Sequence, residues 1–198
     1  ILEPITIYAR GERAIGGITP LMISTNCDYV EVYFKDIMIA KEYPATNKYP
    51  GLKHPPIIIN IEQNIPGVSS MDWEDLKVIG YINGKAEIER KYLKNPTLKE
   101  LQIFSDDKEI NSINEGEAWD STRITIKAVD SWGNRLPYIN EAINIEVKGA
   151  GELIGNDNPV LEGGYYSFWV KTNTKKGIIK ITVSNKRVES KSIEIKVK

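Results

Sequence analysis

Short segments rich in Ile, Val, Tyr and Thr recur along the whole sequence, and turn-forming residues separate them. No long stretch shows the 3.6-residue periodicity of an amphipathic helix, so we expect no helix-based active site. Regular short strands with turns between them are typical of antiparallel β-sandwiches rather than of a parallel α/β sheet. The predicted strands lie near residues 4–9, 20–25, 28–34, 37–42, 56–62, 76–82, 85–92, 99–104, 121–130, 141–148, 165–172, 177–184 and 190–197.

The segment 28–34 alternates most clearly between two kinds of side chain. One side carries Tyr29, Glu31 and Tyr33, and the other carries Val30, Val32 and Phe34. Successive side chains of a strand point to opposite faces of a sheet, so this pattern predicts a strand with one face in the core.

Turn chemistry marks the connections between the predicted strands. Asn83-Gly84 tolerates positive φ and predicts a two-residue type I′ hairpin. Residues 130–134 (DSWGN) predict a turn after a strand, and residues 149–151 (GAG) interrupt the strand that follows. Residues 155–164 are rich in Asn, Asp and Gly, which predicts a long irregular loop.

A chain of 198 residues fits one large or two small domains, because domains commonly span about 100 to 150 residues. The segment 94–97 (KNPT) ends one strand pattern, and a new β-rich run follows it. We therefore expect two modules, residues 1–96 and 97–198.

Composition and charge exclude several classes of protein. Hydrophobic residues make up 41% and charged residues 27%, as in globular rather than disordered or membrane-spanning proteins. Lys and Arg number 26 against 27 Asp and Glu, so we expect no nucleic-acid partner and no membrane partner.

Cys27 is the only cysteine, which excludes an intrachain disulfide. The chain begins at Ile1 without an initiator Met or a leader, and we expect it to be cut from a longer protein.

Several long motifs occur together in one order. Residues 129–138 (VDSWGNRLPY) resemble a segment in the C-terminal domains of family 2 glycoside hydrolases. Residues 145–155 (IEVKGAGELIG), followed by Asn158-Pro159 and Gly163-Gly164, resemble the segments that come next in that family. In the first half, residues 24–32 (STNCDYVEV) and 49–56 (YPGLKHPP) resemble the preceding module. One departure is Lys35-Asp36, where the family usually has an Asn-Gly type turn.

The resemblance implies an all-β fold of two tandem immunoglobulin-like antiparallel β-sandwiches from the C-terminal end of a β-galactosidase-type enzyme. In that family a (β/α)₈ barrel hydrolyses β-galactosides, or a related β-glycoside, with retention through two glutamates. No residue of this chain matches the motifs of those glutamates. The resemblance therefore implies a non-catalytic fragment whose partners are the catalytic barrel and the other modules of the parent enzyme.

Histidine and cysteine, which commonly serve in catalysis and metal binding, each occur once in the sequence. His54 is the only histidine, and no nucleophile elbow accompanies it, so a Ser/His/Asp triad is not supported. One His and one Cys fall short of a four-ligand zinc site. Residues 156–158 (NDN) and 106–107 (DD) lack the spacing of a calcium loop and read better as turns. We expect no catalytic residue, no metal and no cofactor.

Aromatic residues are the best candidates for an interaction site. Between residues 165 and 171, Tyr166, Phe168 and Val170 share one face, and Tyr165, Ser167 and Trp169 share the other. If the first set is core, Trp169 and Tyr165 face outward, where they can contact protein or sugar. Contact with protein is the preferred interpretation, because a severed interface leaves an exposed aromatic patch. Trp132 and Trp73 lie in predicted loops and are weaker sugar-binding candidates, and Trp119 precedes a strand.

Three functions remain open at the level of sequence. The first is a structural role, in which the modules brace and position the catalytic barrel. The second is a carbohydrate-binding module that presents exposed aromatic residues and the loop 155–164 to galactoside polymers or glycans. The third is an independent adhesin-like sandwich, which the motifs at 129–138 and 145–155 disfavour, although fold alone does not decide function.

Overall fold

The computed structural model describes residues 1–5, 8, 19–66, 74–112 and 119–198. The chain divides into two compact units, Ile1–Pro96 and Thr97–Lys198. Each unit is a sandwich of two β-sheets, and this confirms the predicted all-β fold of tandem immunoglobulin-like sandwiches. In the described ranges, no helix is both long enough and apolar enough to cross a membrane.

The first unit pairs a sheet of order β1-β2-β5 with a sheet of order β4-β3-β6-β7. Val30 and Val32 of β3, Val78 of β6 and Ile23 of β2 are fully buried between the two sheets. The two sheets therefore enclose one hydrophobic core. The elements are β1 (Leu2–Pro4), β2 (Leu21–Thr25), β3 (Tyr29–Phe34), β4 (Ile37–Glu42), β5 (Ile57–Ile59), α1 (Ile61–Asn64), β6 (Leu76–Ile82) and β7 (Lys85–Tyr92).

Two predicted strands of this unit differ from the structure. The strand predicted at 4–9 falls mostly outside the described residues, and β1 ends at Pro4. The strand predicted at 56–62 was too long, because β5 ends at Ile59 and α1 begins at Ile61. The carbonyl of Asn60 accepts a hydrogen bond from the Gln63 N–H (3.1 Å), which closes a helical turn. Ile61 still reaches the core from that turn, so its apolar character alone did not distinguish strand from helix.

The hairpin between β3 and β4 turns through two residues with left-handed backbones. Lys35 has φ 50° and Asp36 has φ 61°. A type I′ turn of this kind favours Asn-Gly, because a Cβ atom crowds the backbone in the left-handed region. The predicted hairpin at Asn83-Gly84 has the same geometry with the favoured residues, at φ 51° and 75°, and is confirmed.

We expect Lys35→Asn combined with Asp36→Gly to raise the free energy of unfolding of the first unit by about 1–2 kcal/mol. The variant loses the ion pairs of Lys35 with Glu74 (3.7 Å) and of Asp36 with Lys77 (3.8 Å). Exposed pairs of this kind contribute at most about 1 kcal/mol each. Hydrogen exchange of the buried amides of β3 and β6 measures the change. Lys35→Gln alone keeps the strained turn and is the control, and equal protection in both variants would contradict the expectation.

The second unit pairs a sheet of order β12-β13-β10-β8 with a sheet of order β11-β14-β15-β9. In immunoglobulin lettering the first sheet has the order D-E-B-A, and the second contains C-F-G. Ile124 and Ile126 of β10 pack with Ile179 and Ile181 of β14 in the core between the sheets. The strands are β8 (Glu100–Ser105), β9 (Glu109–Ile110), β10 (Ser121–Val129), β11 (Asn144–Gly149), β12 (Gly151–Ile154), β13 (Tyr165–Thr172), β14 (Gly177–Ser184) and β15 (Lys191–Val197).

Short strands of this unit were not predicted from the sequence. The strand β12 has four residues and lies at the edge of its sheet beside β13. The strand β9 has two residues and pairs with β15 in parallel. The strand predicted at 141–148 begins only at Asn144, because the preceding residues pair with the loop 155–164: the Ile143 N–H donates to the carbonyl of Pro159 (2.9 Å).

Candidate functional site

The outer surface of the sheet β12-β13-β10-β8 carries the two leading candidate residues. Phe168 and Val170 of β13 are buried in the core of the second unit. The alternating residues Tyr165 and Trp169 therefore lie on the outer side, with 37% and 48% of their surface exposed. The structure brings these two candidates to the same face of one strand.

Two further apolar side chains extend this surface across the sheet. Ile154 of β12 is paired with Trp169 and is 37% exposed. Phe104 of β8 is paired with Thr125 of β10, which is itself paired with Ser167 of β13, so its ring lies on the outer side. Phe104 is 47% exposed. We call Phe104, Ile154, Tyr165 and Trp169 the outer aromatic face.

Charged groups lie between and beside these apolar side chains. Arg123 of β10 is paired with Trp169, and its Nε lies 3.1 Å from the Oδ2 of Asp106. The Nζ of Lys127 lies 5.2 Å from the centre of the Phe104 ring, a cation–π distance. The outer aromatic face therefore combines apolar area with two basic side chains, one of which is paired with an acid.

Hydroxyl groups connect β10 and β13 in the middle of this face. Thr125 Oγ1 lies 3.1 Å from Ser167 Oγ and 3.5 Å from the Tyr165 hydroxyl. Hydrogen bonding with Ser167 and Thr125, with smaller effects from the charges of Arg123 and Lys127, lowers the pKa of Tyr165. These contacts fix the position of the Tyr165 ring beside the sheet.

Trp132 lies in the turn after β10 and is half exposed. The turn is held by Asp130, whose Oδ1 accepts hydrogen bonds from the backbone N–H groups of Trp132 (2.8 Å) and Asn134 (2.9 Å). The predicted turn at 130–134 is confirmed. Trp132 therefore belongs to a separate, internally braced loop.

The remaining tryptophans contribute less to a defined site. Trp119 precedes β10 and is half exposed, with the Nζ of Lys171 at 5.9 Å from its ring centre. Trp73 lies outside the described residues. Its candidacy as a sugar-binding residue stays a prediction.

The groups considered for catalysis or metal binding are dispersed. His54 is exposed in a loop, and Cys27 is buried with its Sγ 4.0 Å from the carbonyl of Ile1. Asn156 Oδ1 accepts the Asn158 N–H at 2.9 Å, which is the turn contact expected there. Across the described ranges, no cluster of three or more His, Cys, Asp or Glu side chains could hold a metal ion.

Ile154 and Phe104 were not recognised as site residues from the sequence. Ile154 belongs to the four-residue strand β12, which two glycine-containing turns flank, so no alternation could develop. Phe104 directly follows Ile103, and two adjacent large apolar residues conceal which of them faces the core. Both would have emerged from the pairing of their strands with β13 and β10.

The sequence and fold are similar to those of known glycoside hydrolases. Residues 102–194 match the family described as glycoside hydrolase family 2 C-terminal domain 5. A β-galactosidase from Thermoanaerobacterium thermosulfurigenes is 42% identical over 168 residues, which cover 83% of this chain and 23% of that enzyme. A β-galactosidase from Rhizobium meliloti is 34% identical over 167 residues, which cover 83% of this chain and 22% of that enzyme. The chain thus spans less than a quarter of the length of these two curated relatives.

A solved structure shares the architecture over nearly the whole chain. The crystal structure of a β-glycosidase from Bacteroides vulgatus aligns with a TM-score of 0.68 over 99% of this chain and 24% of that one. The two sequences are 17% identical, so this likeness establishes the fold alone. The family match over residues 102–194 assigns the second unit to the C-terminal domains of glycoside hydrolase family 2, and most of the chain is similar in sequence to β-galactosidases.

Proposed function

We propose that this chain is a non-catalytic C-terminal part of a β-galactosidase-type glycoside hydrolase, and that it braces and positions the catalytic barrel. The outer aromatic face carries the proposal. Its side chains are large and apolar, yet they lie in water on the side of β13 opposite the core. The chain spans less than a quarter of the β-galactosidases to which it is similar, and this supports the existence of a further partner for this face.

The composition of the outer aromatic face suits contact with protein. Trp169 and Ile154 are neighbours across two strands, so one partner side chain could cover both. Covering apolar surface stabilises an interface by about 25 cal/mol per Å² of area removed from water. Interfaces concentrate their energy in Trp, Tyr and Arg at the centre, and Arg123 lies beside Trp169.

In this proposal the chemistry belongs to the barrel. Retaining hydrolysis needs two carboxyl groups on either side of the scissile bond, held by the loops of a (β/α)₈ barrel. The two units are β-sandwiches, whose contribution is to hold that barrel in its working geometry. The isolated chain is therefore expected to leave nitrophenyl β-galactoside unhydrolysed.

Reassociation in trans tests the proposal. The parent enzyme without these residues should melt at a lower temperature and hydrolyse nitrophenyl β-galactoside more slowly. Addition of the purified chain should restore both properties. We expect Trp169→Ser combined with Ile154→Ser to raise the concentration needed for half restoration by about 30-fold or more, because a central Trp commonly contributes 2 kcal/mol or more.

Ile178→Ser provides the matched control. Ile178 is similarly exposed but lies on β14, in the other sheet of the second unit. This variant should restore the truncated enzyme as well as the unchanged chain does. Complete indifference of the enzyme to the loss of the chain would refute the bracing role, and equal restoration by the Trp169 double variant would refute the assignment of the outer aromatic face.

A further inference from the structure

A second aromatic surface lies on the solvent side of the first unit. The residues of β3 that alternate with buried Val30 and Val32 point away from the core, and residues of β4 and β6, with Tyr43 directly after β4, lie beside them. We call this group the tyrosine cluster. It consists of Tyr29, Glu31, Tyr33, Lys41, Tyr43 and Tyr81.

A carboxylate organises the centre of the cluster. Glu31 Oε2 accepts hydrogen bonds from the hydroxyls of Tyr81 (2.7 Å) and Tyr33 (2.8 Å). These bonds lower the pKa of Glu31 and raise the pKa of Tyr81 to about 12. At neutral pH the carboxylate is therefore ionised and the hydroxyl is protonated. The other oxygen, Oε1, lies 3.8 Å from the Nζ of Lys41, beyond hydrogen-bond distance. That oxygen therefore keeps capacity to accept a hydrogen bond from a ligand.

The rings form a supported platform around this carboxylate. Tyr29 and Tyr81 stack with their centres 4.7 Å apart and an angle of 9° between the planes. Tyr43 packs against Tyr29 at 5.5 Å, tilted by 42°, and 59% of its surface is exposed. The Nζ of Lys41 lies 4.3 Å from the centre of the Tyr29 ring and stays partly open to water. An exposed ring, a cation and an ionised carboxylate thus each contact one of the two stacked rings.

We propose that the tyrosine cluster is a binding site for a neutral carbohydrate. The apolar C–H face of a sugar ring would lie on Tyr43, one sugar hydroxyl would donate to Glu31 Oε1, and another would accept from Lys41 Nζ. Both kinds of hydrogen-bonding partner are needed, because a sugar hydroxyl donates and accepts. The proposal concerns a different unit from the outer aromatic face and does not depend on the bracing role.

The charges of the cluster argue against other small ligands. Glu31 would repel an anionic ligand such as a phosphate. A cationic ligand would compete for the face of Tyr29, which Lys41 already covers. Since Glu31 and Lys41 carry opposite charges, a neutral ligand with several hydroxyls fits best.

Titration of the 198-residue chain with β-1,4-galactotetraose, with galactose as the short comparison, tests the site by calorimetry and saturation-transfer NMR. We expect the tetrasaccharide to bind with a Kd of about 1 mM or lower. Glu31→Gln keeps the size of the side chain and should raise Kd by about tenfold or more, since hydrogen bonds to charged groups are the strong ones. Tyr43→Ala removes an exposed ring without opening the core and should raise Kd by a similar factor.

Trp169→Ala is the matched control, because it removes an aromatic ring of comparable exposure from the other unit. It should leave Kd within about twofold, as expected for independent sites. Absence of binding by the unchanged chain, or unaltered Kd in both Glu31→Gln and Tyr43→Ala, would overturn the proposal. If Tyr43→Ala instead weakens reassociation with the truncated parent while no sugar binds, the cluster is a protein contact and the carbohydrate assignment is wrong.

Discussion

Asp130→Ala lowers the free energy of unfolding of the second unit by about 3 kcal/mol or more, because it removes a buried carboxylate that accepts several hydrogen bonds. Asp130 is 3% exposed. Its carboxylate accepts from the Trp132 N–H at 2.8 Å, from the Asn134 N–H at 2.9 Å and from Asn134 Nδ2 at 3.0 Å. Alanine leaves these donors without their acceptor and lets the turn open.

Urea denaturation of the purified chain, followed by circular dichroism, measures this loss. Asp157→Ala is the control, because the Asp157 carboxylate accepts from Asn158 Nδ2 in an exposed loop. It should change the free energy of unfolding by no more than about 0.5 kcal/mol, as is usual for surface positions. Asp130→Asn keeps one acceptor oxygen and should fall between the two. Equal effects of the two alanine variants would contradict the structural role of the Asp130 turn.

Gly164→Ala destabilises the second unit by about 3–5 kcal/mol. This is the sum of two free-energy costs, one for a left-handed backbone at alanine and one for a steric clash. The φ angle of Gly164 is 70°, and a Cβ atom there would lie 2.2 Å from the carbonyl oxygen of Leu136. The backbone cannot easily move aside. The Gly164 N–H donates to Ile139 O at 2.7 Å, and its carbonyl accepts from the Ala128 N–H at 2.9 Å.

Gly133→Ala separates the two contributions. Gly133 has φ 77°, close to that of Gly164, but its nearest neighbour would be Gln102 Nε2 at 3.9 Å. This variant should lose only the free energy of unfolding that a left-handed backbone costs at alanine, about 1–2 kcal/mol. Thermal unfolding of both variants gives the difference between them, which is the energy of the clash. A similar loss of stability in both would mean that the Leu136 carbonyl moves freely, against the hydrogen bonds seen around it.

The alternation of side chains predicted the parts of the fold where one face of a strand is continuously apolar. Tyr166, Phe168 and Val170 occupy every second position of β13 with no polar residue among them. Sequence alone could therefore assign Tyr165 and Trp169 to one common face. It could not say which face was core. That depends on the pairing with β10, where Ile124 and Ile126 lie beside Phe168 and Tyr166 on the same, buried side of the sheet.

Features that depend on residues distant in sequence were beyond prediction from the sequence. Tyr81 lies 50 positions from Glu31 and donates to its carboxylate only because β6 pairs with β3. The sequence placed Tyr29, Glu31 and Tyr33 together, but not the stacking of Tyr29 on Tyr81. The match of the second unit to glycoside hydrolase family 2 could be predicted because the motifs at 129–138 and 145–155 are local.

Because Cys27 is buried, the reactivity of its thiol reports when the first unit opens. Cys27 is the only cysteine, belongs to the first unit and is 4% exposed. A thiol reagent can therefore reach the sulfur only during excursions that open this unit. If reclosing is fast compared with modification, the labelling rate gives the equilibrium between closed and open forms of the first unit. Unfolding of the second unit produces no new thiol, so on heating the labelling curve follows the opening of the first unit alone.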